Sequence, residues 1–219
     1  MLKINDSLTA NDVAAKAERL FEVSGQKILS IEKSWDNNRG TPVFTVKGRY
    51  DTRGWTEWTQ GFRFGSAFVQ YDATEDETFF KLGMEGTLRH MAEHVSHTGV
   101  HDHGFTCVST YGNLLRLIRE KKIEHLKDGI DEACLLALKV SGAVQAARWT
   151  PLPDHLGYIY SFCGPHSLFV DTMRSLRSLG LAHVLGHVLM GEQETRISLL
   201  ARLLQHAETT AKSSACRPR

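Results

Sequence analysis

From Thr9 onward the apolar positions Val13, Ala17, Leu20 and Val23 recur at helical spacing, and Thr9 or Asn11 can cap the first turn. The pattern predicts a first helix. Asn37 to Gly54 then collects Asn, Gly, Pro and Asp around one short extended run, Val43 to Val46, which reads as a long loop with a single strand. Helical periodicity returns over Thr56 to Tyr71, Glu75 to His97, Phe105 to Glu120, Ile123 to Ala147, Pro165 to Gly186 and Glu192 to Lys212. Links as short as Ala73-Thr74, Lys121-Lys122 and Gly191 make neighbouring helices into hairpins. Pro151, Pro153 and Gly157 interrupt that rhythm, so Ala147 to Gly164 reads as a loop over one end of the array. No short-period repeat is present. The pattern defines an all-α domain over 1–212, with 213–219 a polar, disordered tail.

Composition narrows the function classes. The formal charge is +1, from 26 Lys and Arg against 25 Asp and Glu, so no net positive field is available for a phosphate backbone, and nucleic acid is not the expected partner. Cys107, Cys134, Cys163 and Cys216 form no CxxC pair, which argues against a zinc knuckle or a disulfide framework and suits a reducing compartment. No apolar run is long enough for a secretory leader or a membrane span, and the expected location is the cytoplasm.

Five of the 11 histidines, His90, His94, His97, His101 and His103, fall within one short stretch. His90-Met-Ala-Glu93-His94 matches the H-x-x-E-H pattern in which two histidines one helical turn apart grip zinc beside a general base. Against that zinc-peptidase reading, the same spacing arises on any helix with a solvated or cavity-facing side.

Two carboxylates carry the stronger signal. Asp102 stands where a loop meets a helix, a position at which an aspartate can simply cap exposed amides. Asp171 falls in the segment from Pro165, apolar on almost every face and therefore predicted to be a buried inner helix. Asp171, Ser175, Ser178 and Ala182 share one narrow face, with Arg174 beside them, and a polar stripe on a buried helix suggests a lined cavity. An ion pair of Asp171 with Arg174 or Arg177 is the structural alternative. Burial among apolar groups would instead leave the carboxyl protonated and able to act as an acid.

Three motifs in order then carry a resemblance. Trp58-Thr59-Gln60-Gly61-Phe62, followed by Tyr71-x-x-Thr74-x-Asp76, His101-Asp102-x-Gly104-Phe105, and Val170-Asp171-Thr172-Met173 together resemble glycoside hydrolase family 88, the unsaturated glucuronyl hydrolases, and more distantly family 105, the unsaturated rhamnogalacturonyl hydrolases. The resemblance runs from about Trp55 to Lys212. His103 replaces the usual Leu of the second motif, and Ser175 and Arg177 replace the Asn and Pro that follow the third.

The resemblance implies an (α/α)6 six-hairpin toroid, of which the seven helices readable here would form an incomplete, N-terminal portion. It implies hydrolysis of oligosaccharides ending in an unsaturated uronic acid, without metal or other cofactor. A proton added at C4 makes C5 electrophilic, water adds there, and the resulting hemiketal opens to release the neighbouring sugar. Asp171 would be the acid and base, Asp102 would hold hydroxyls or stabilise positive charge, and His101, Trp58, Trp149 and Arg174 would contact substrate. Trp55, Trp58 and Trp149 are the aromatic candidates for stacking on sugar faces. An incomplete ring would also expose apolar helices and self-associate. The competing class is a non-catalytic helical scaffold.

Overall fold

A computed structural model describes residues 7–54, 57–123 and 126–215. Helix α1 (Ala10–Ser34) is started by Asp12, whose carboxylate accepts from the Thr9 backbone N–H at 2.7 Å. The single strand expected near Val43 is half of a hairpin, β1 (Phe44–Val46) with β2 (Arg49–Asp51). The first motif opens α2 (Thr59–Thr74), and Glu75 in the left-handed region turns the chain into α3 (Glu77–His90), where Asp76 caps Thr78 N–H at 2.8 Å.

Beyond α3 the long helices read from periodicity are broken. Met91 interrupts the helix before α4 (Ala92–Val95). The stretch expected as one helix from Phe105 is α5 (His103–Thr106), a π-turn over Val108–Gly112, and α6 (Asn113–Arg119). After α7 (Ile130–Ala147), the Pro-rich loop contains a hairpin, β3 (Trp149–Pro151) with β4 (Gly157–Ile159).

The largest departure concerns the Pro165 segment. Residues up to Asp171 are not helical, and α8 (Thr172–Ser175) and α9 (Arg177–Val184) are short and separate. This is no inner helix buried on every face: Val170 is 62% and Val184 79% exposed. Apolar composition reported burial of one side only, since Leu176, Leu179 and Ala182 are the buried members. A last hairpin, β5 (Leu189–Met190) with β6 (Arg196–Ile197), precedes α10 (Leu199–Ala215), which runs past Lys212. Of the expected tail, 216–219 lie outside the described residues.

Two cores hold these elements. One joins α2, α3, the π-turn, α6 and α7 through Phe64, Phe68, Phe79, Phe80, Leu114, Leu117 and Leu138. Each such side chain contributes roughly 1.5–3 kcal/mol on burial. The second joins α7, α9, α10 and β4 through Ala146, Ile159, Leu179 and Leu199. Helical hairpins packed side by side in this manner form a partial (α/α) toroid. Among the described residues no helix is long and apolar enough to cross a membrane. Cys107, Cys134 and Cys163 are free thiols.

Candidate active site

The second motif is brought to the first by a glycine. A Cβ on Gly61 would lie 2.1 Å from the Phe105 carbonyl oxygen, so only a bare Cα lets α5 sit against α2. The contact assembles Trp58, Phe62 and Phe105 into an aromatic group with ring centroids 5.4 to 6.0 Å apart.

Gly104 makes the corresponding contact with the third motif. Its own Cβ would lie 2.5 Å from the Ser175 Cα. Its N–H donates to Ser175 Oγ at 3.3 Å, and its carbonyl accepts from Arg177 Nε at 3.0 Å. The departures Ser175 and Arg177 are thus the clamps that hold α8 on the second motif. His103, the third departure, is fully buried: its Nε2 donates to the His97 carbonyl at 3.0 Å and its Nδ1 accepts from Ser141 at 2.8 Å. Of the polar stripe, Ser175 and Ser178 serve helix packing, since Ser178 Oγ donates to Gln145 Oε1, and only Asp171 reaches the cavity.

These contacts place Asp102 and Asp171 in the wall of one cavity of about 430 Å³, within the size range of small-ligand sites. His101, Trp58 and Arg174 line it too. Trp149 does not. It packs on the second core under the Arg202 guanidinium, 4.9 Å from its ring, which corrects its assignment to the site. Trp55 lies outside the described residues. Residues not singled out by pattern complete the lining, among them Arg53, Glu57, His97 and Phe162. Only His97 carried a signal, as a member of the histidine run.

Asp102 occupies the position before α5 but its carboxylate makes no capping bond, and only its backbone carbonyl serves the helix, accepting from Phe105 and Thr106 N–H. The cap reading therefore fails. The side chain turns instead towards His101, whose Nε2 stands 3.8 Å from Asp102 Oδ1 and 3.8 Å from Asp171 Oδ2. Ligand atoms of these three residues lie within 4.8 Å of one another, so they could also hold a cation.

Burial pushes the Asp102 carboxyl above its ordinary value, against the pull of His101, Arg148, His97 and Arg174. Burial likewise holds His101 below its ordinary value, despite the nearby Asp102 charge. Asp171 is the more accessible carboxylate, its side chain 19% exposed against 11% for Asp102, and its Oδ1 accepts from Arg174. The ion pair set out as the structural alternative for Asp171 is thus present, within the cavity itself. Asp102 is the carboxyl whose desolvated surroundings favour a retained proton.

Two buried polar residues fix the floor. Gln145 Nε2 donates to the His101 carbonyl at 2.9 Å, tying the second motif to α7. Arg148 donates to the carbonyls of Tyr160 at 3.2 Å, Ser161 at 2.7 Å and Thr98, which joins the loops on either side of His101. Phe162 and Phe169 from the later loop pack on the His101 ring at 5.8 and 6.0 Å.

The H-x-x-E-H pattern does not form a zinc grip. His90 ends α3, His94 belongs to α4 beyond the break, and His94 Nε2 donates to Gln60 Oε1 at 2.8 Å. His90 stacks on Phe64.

The class defined by this fold is the helical-hairpin toroid with a cavity walled by paired carboxylates. No family model matches the sequence, and no curated protein matches it significantly. Solved structures do match the fold. An unsaturated glucuronyl hydrolase specific for heparin superposes with a TM-score of 0.66 and 20% identity, over 88% of this chain and 46% of that one. The unsaturated glucuronyl hydrolase from Streptococcus agalactiae gives a TM-score of 0.60 and 16% identity, over 87% of this chain and 45% of that one. The chain spans about half the length of each. The resemblance read from the three motifs is thus matched by the fold.

Proposed function

We propose that this chain carries the carboxylate site of a glycoside hydrolase acting on oligosaccharides that end in an unsaturated uronic acid. The observation that supports it best is the pairing of Asp102 with Asp171, 69 positions apart in sequence, across His101 in a cavity with an aromatic wall. Inverting hydrolysis by water held between two carboxylates needs a separation of ~6.5–9.5 Å. Here one oxygen of each carboxylate lies within 4.8 Å of the other, closer than that arrangement needs.

Asp171, the accessible member, delivers the proton to C4 and then activates water for C5. Asp102, whose burial favours the protonated form, contacts substrate hydroxyls. Arg174 is ion-paired with Asp171 in the resting site, so the acid role requires the substrate carboxylate to draw this arginine away. Asp171 then takes up a proton from solvent, which it passes to C4 before accepting one from the water that adds at C5. Arg174 can move, since its side chain is 69% exposed. Trp58 and Phe105 offer the sugar an apolar face.

Loss of the ultraviolet absorbance of the conjugated double bond on an unsaturated disaccharide, with release of the free sugar followed on both the unsaturated and the saturated disaccharide, tests the reading. Turnover of the unsaturated substrate alone supports it. Cleavage of both would indicate ordinary retaining hydrolysis, and cleavage of neither a non-catalytic scaffold. Self-association belongs to the same proposal, because Leu136, Val184 and Leu204 are exposed apolar side chains on helices. Size-exclusion chromatography at increasing concentration checks it, and a monomer throughout would refute it. A cytoplasmic location is also proposed, from the four unpatterned cysteines, and fractionation of cells carrying the tagged protein checks it.

A further inference from the structure

Both ring nitrogens of His101 are buried without a hydrogen-bond partner, although the residue is only 1% exposed. A buried imidazole normally satisfies at least one nitrogen, because leaving both orphaned forfeits their hydration without recompense. Phe162 stacks on one face of the ring and Phe169 stands at its edge, and neither offers it a hydrogen-bond partner. Its Nε2 stands equally far, 3.8 Å, from an oxygen of each carboxylate. One nitrogen and two carboxylate oxygens converging on a point are a donor set for a borderline divalent cation of the zinc class.

We infer that His101, Asp102 and Asp171 form a facial site for a zinc-class divalent cation. A tetrahedral ion with bonds of ~2.1 Å separates its ligands by ~3.4 Å, so the two His101 contacts of 3.8 Å need shorten by ~0.4 Å, and the carboxylate oxygens, within 4.8 Å of each other, by no more than ~1.4 Å. The fourth position faces the cavity and remains open to water. Asp171 Oδ1 stays with Arg174, leaving Oδ2 as the ligand. The backbone side of the site is already braced by the Gln145 bond to the His101 carbonyl.

The ion and the proton compete for the same oxygens. Resting on the catalytic reading above, an occupied site has no proton to deliver, and the ion is an inhibitor, not a cofactor. Ion affinity then rises with pH as carboxyl protons are displaced.

Isothermal titration of the chelator-treated 219-residue chain with zinc chloride, and the visible spectrum with cobalt chloride, test binding without any substrate. The expected result is one ion per chain with a four-coordinate cobalt spectrum. His101→Gln and Asp102→Asn should each weaken binding at least ~10-fold while still melting cooperatively, since one of three ligands is lost. Arg174→Gln should tighten it by removing a competing cation, and His90→Gln should leave it unaltered. No binding at millimolar zinc, or binding lost in His90→Gln but kept in His101→Gln and Asp102→Asn, overturns the site. If His101→Gln does not fold, Asp102→Asn decides alone. Failure of the double-bond assay leaves this measurement intact, so the two readings fail separately.

Discussion

Gly104 and Ser175 touch so closely that a methyl group on Gly104 would fall 2.5 Å from the Ser175 Cα. Their contact joins the turn after Asp102 to the turn after Asp171, and the N–H of one donates to the hydroxyl of the other at 3.3 Å. The distance between the carboxylates is therefore set by backbone packing two to four residues away from them.

Gly104→Ala should separate α5 from α8, destabilising the fold by ~1–3 kcal/mol, as overpacking does. For a chain of this size that lowers Tm by roughly 2–4 °C per kcal/mol. Calorimetry measures the fall, and the unsaturated-disaccharide assay should show a larger loss than the fall explains. A variant with normal Tm and normal turnover would show that the contact does not position the site.

Asp171→Asn should remove turnover by ~10²–10⁴-fold, the usual worth of a positioned acid. Asp102→Asn should also impair turnover severely while raising Tm at neutral pH. Burial raises the Asp102 pKa above its unfolded value, so its ionisation costs stability as pH climbs past that unfolded value, and the amide removes the cost. Tm series at acid and neutral pH compare the two proteins, and the gain should vanish at the acid end.

Arg174→Gln should move the basic limb of the pH–rate profile upward. Arg174 lowers the proton affinity of Asp102 and neutralises Asp171, so its loss lets the pair keep a proton to higher pH. KM should rise with it, because the substrate loses a cationic contact. A profile that stays in place with KM unchanged would remove Arg174 from the site.

Acid should unfold the protein through its histidines. His94, His103 and His206 are buried neutral, each held down to about 4 by burial. A depressed folded pKa means the unfolded chain binds more protons, so their stability is present above pH ~6.5 and is lost as pH falls towards 4. The slope is up to ~1.4 kcal/mol per pH unit for each histidine. His103→Asn should flatten the decline of Tm across that window, and an undiminished slope would refute the assignment.

What was legible in the sequence was local chemistry and its order. Helical periodicity placed α1, α2 and α7, because an amphipathic or core-facing helix of several turns repeats its pattern often enough to be recognised. The motifs named Asp102 and Asp171 by residue type and neighbours. Tertiary structure alone decided the rest. Apolar side chains from Leu168 to Val184 could not reveal that α8 and α9 are short and half-exposed, since composition does not say which side meets a partner. Trp149 and Trp58 look alike in sequence, yet one faces the second core and the other the cavity. The environment that separates Asp102 from Asp171, desolvation for one and an arginine for the other, arises only when Gly61 and Gly104 let three distant segments close on one point. Proton affinity is a property of that enclosure, and residues far apart in the chain build it.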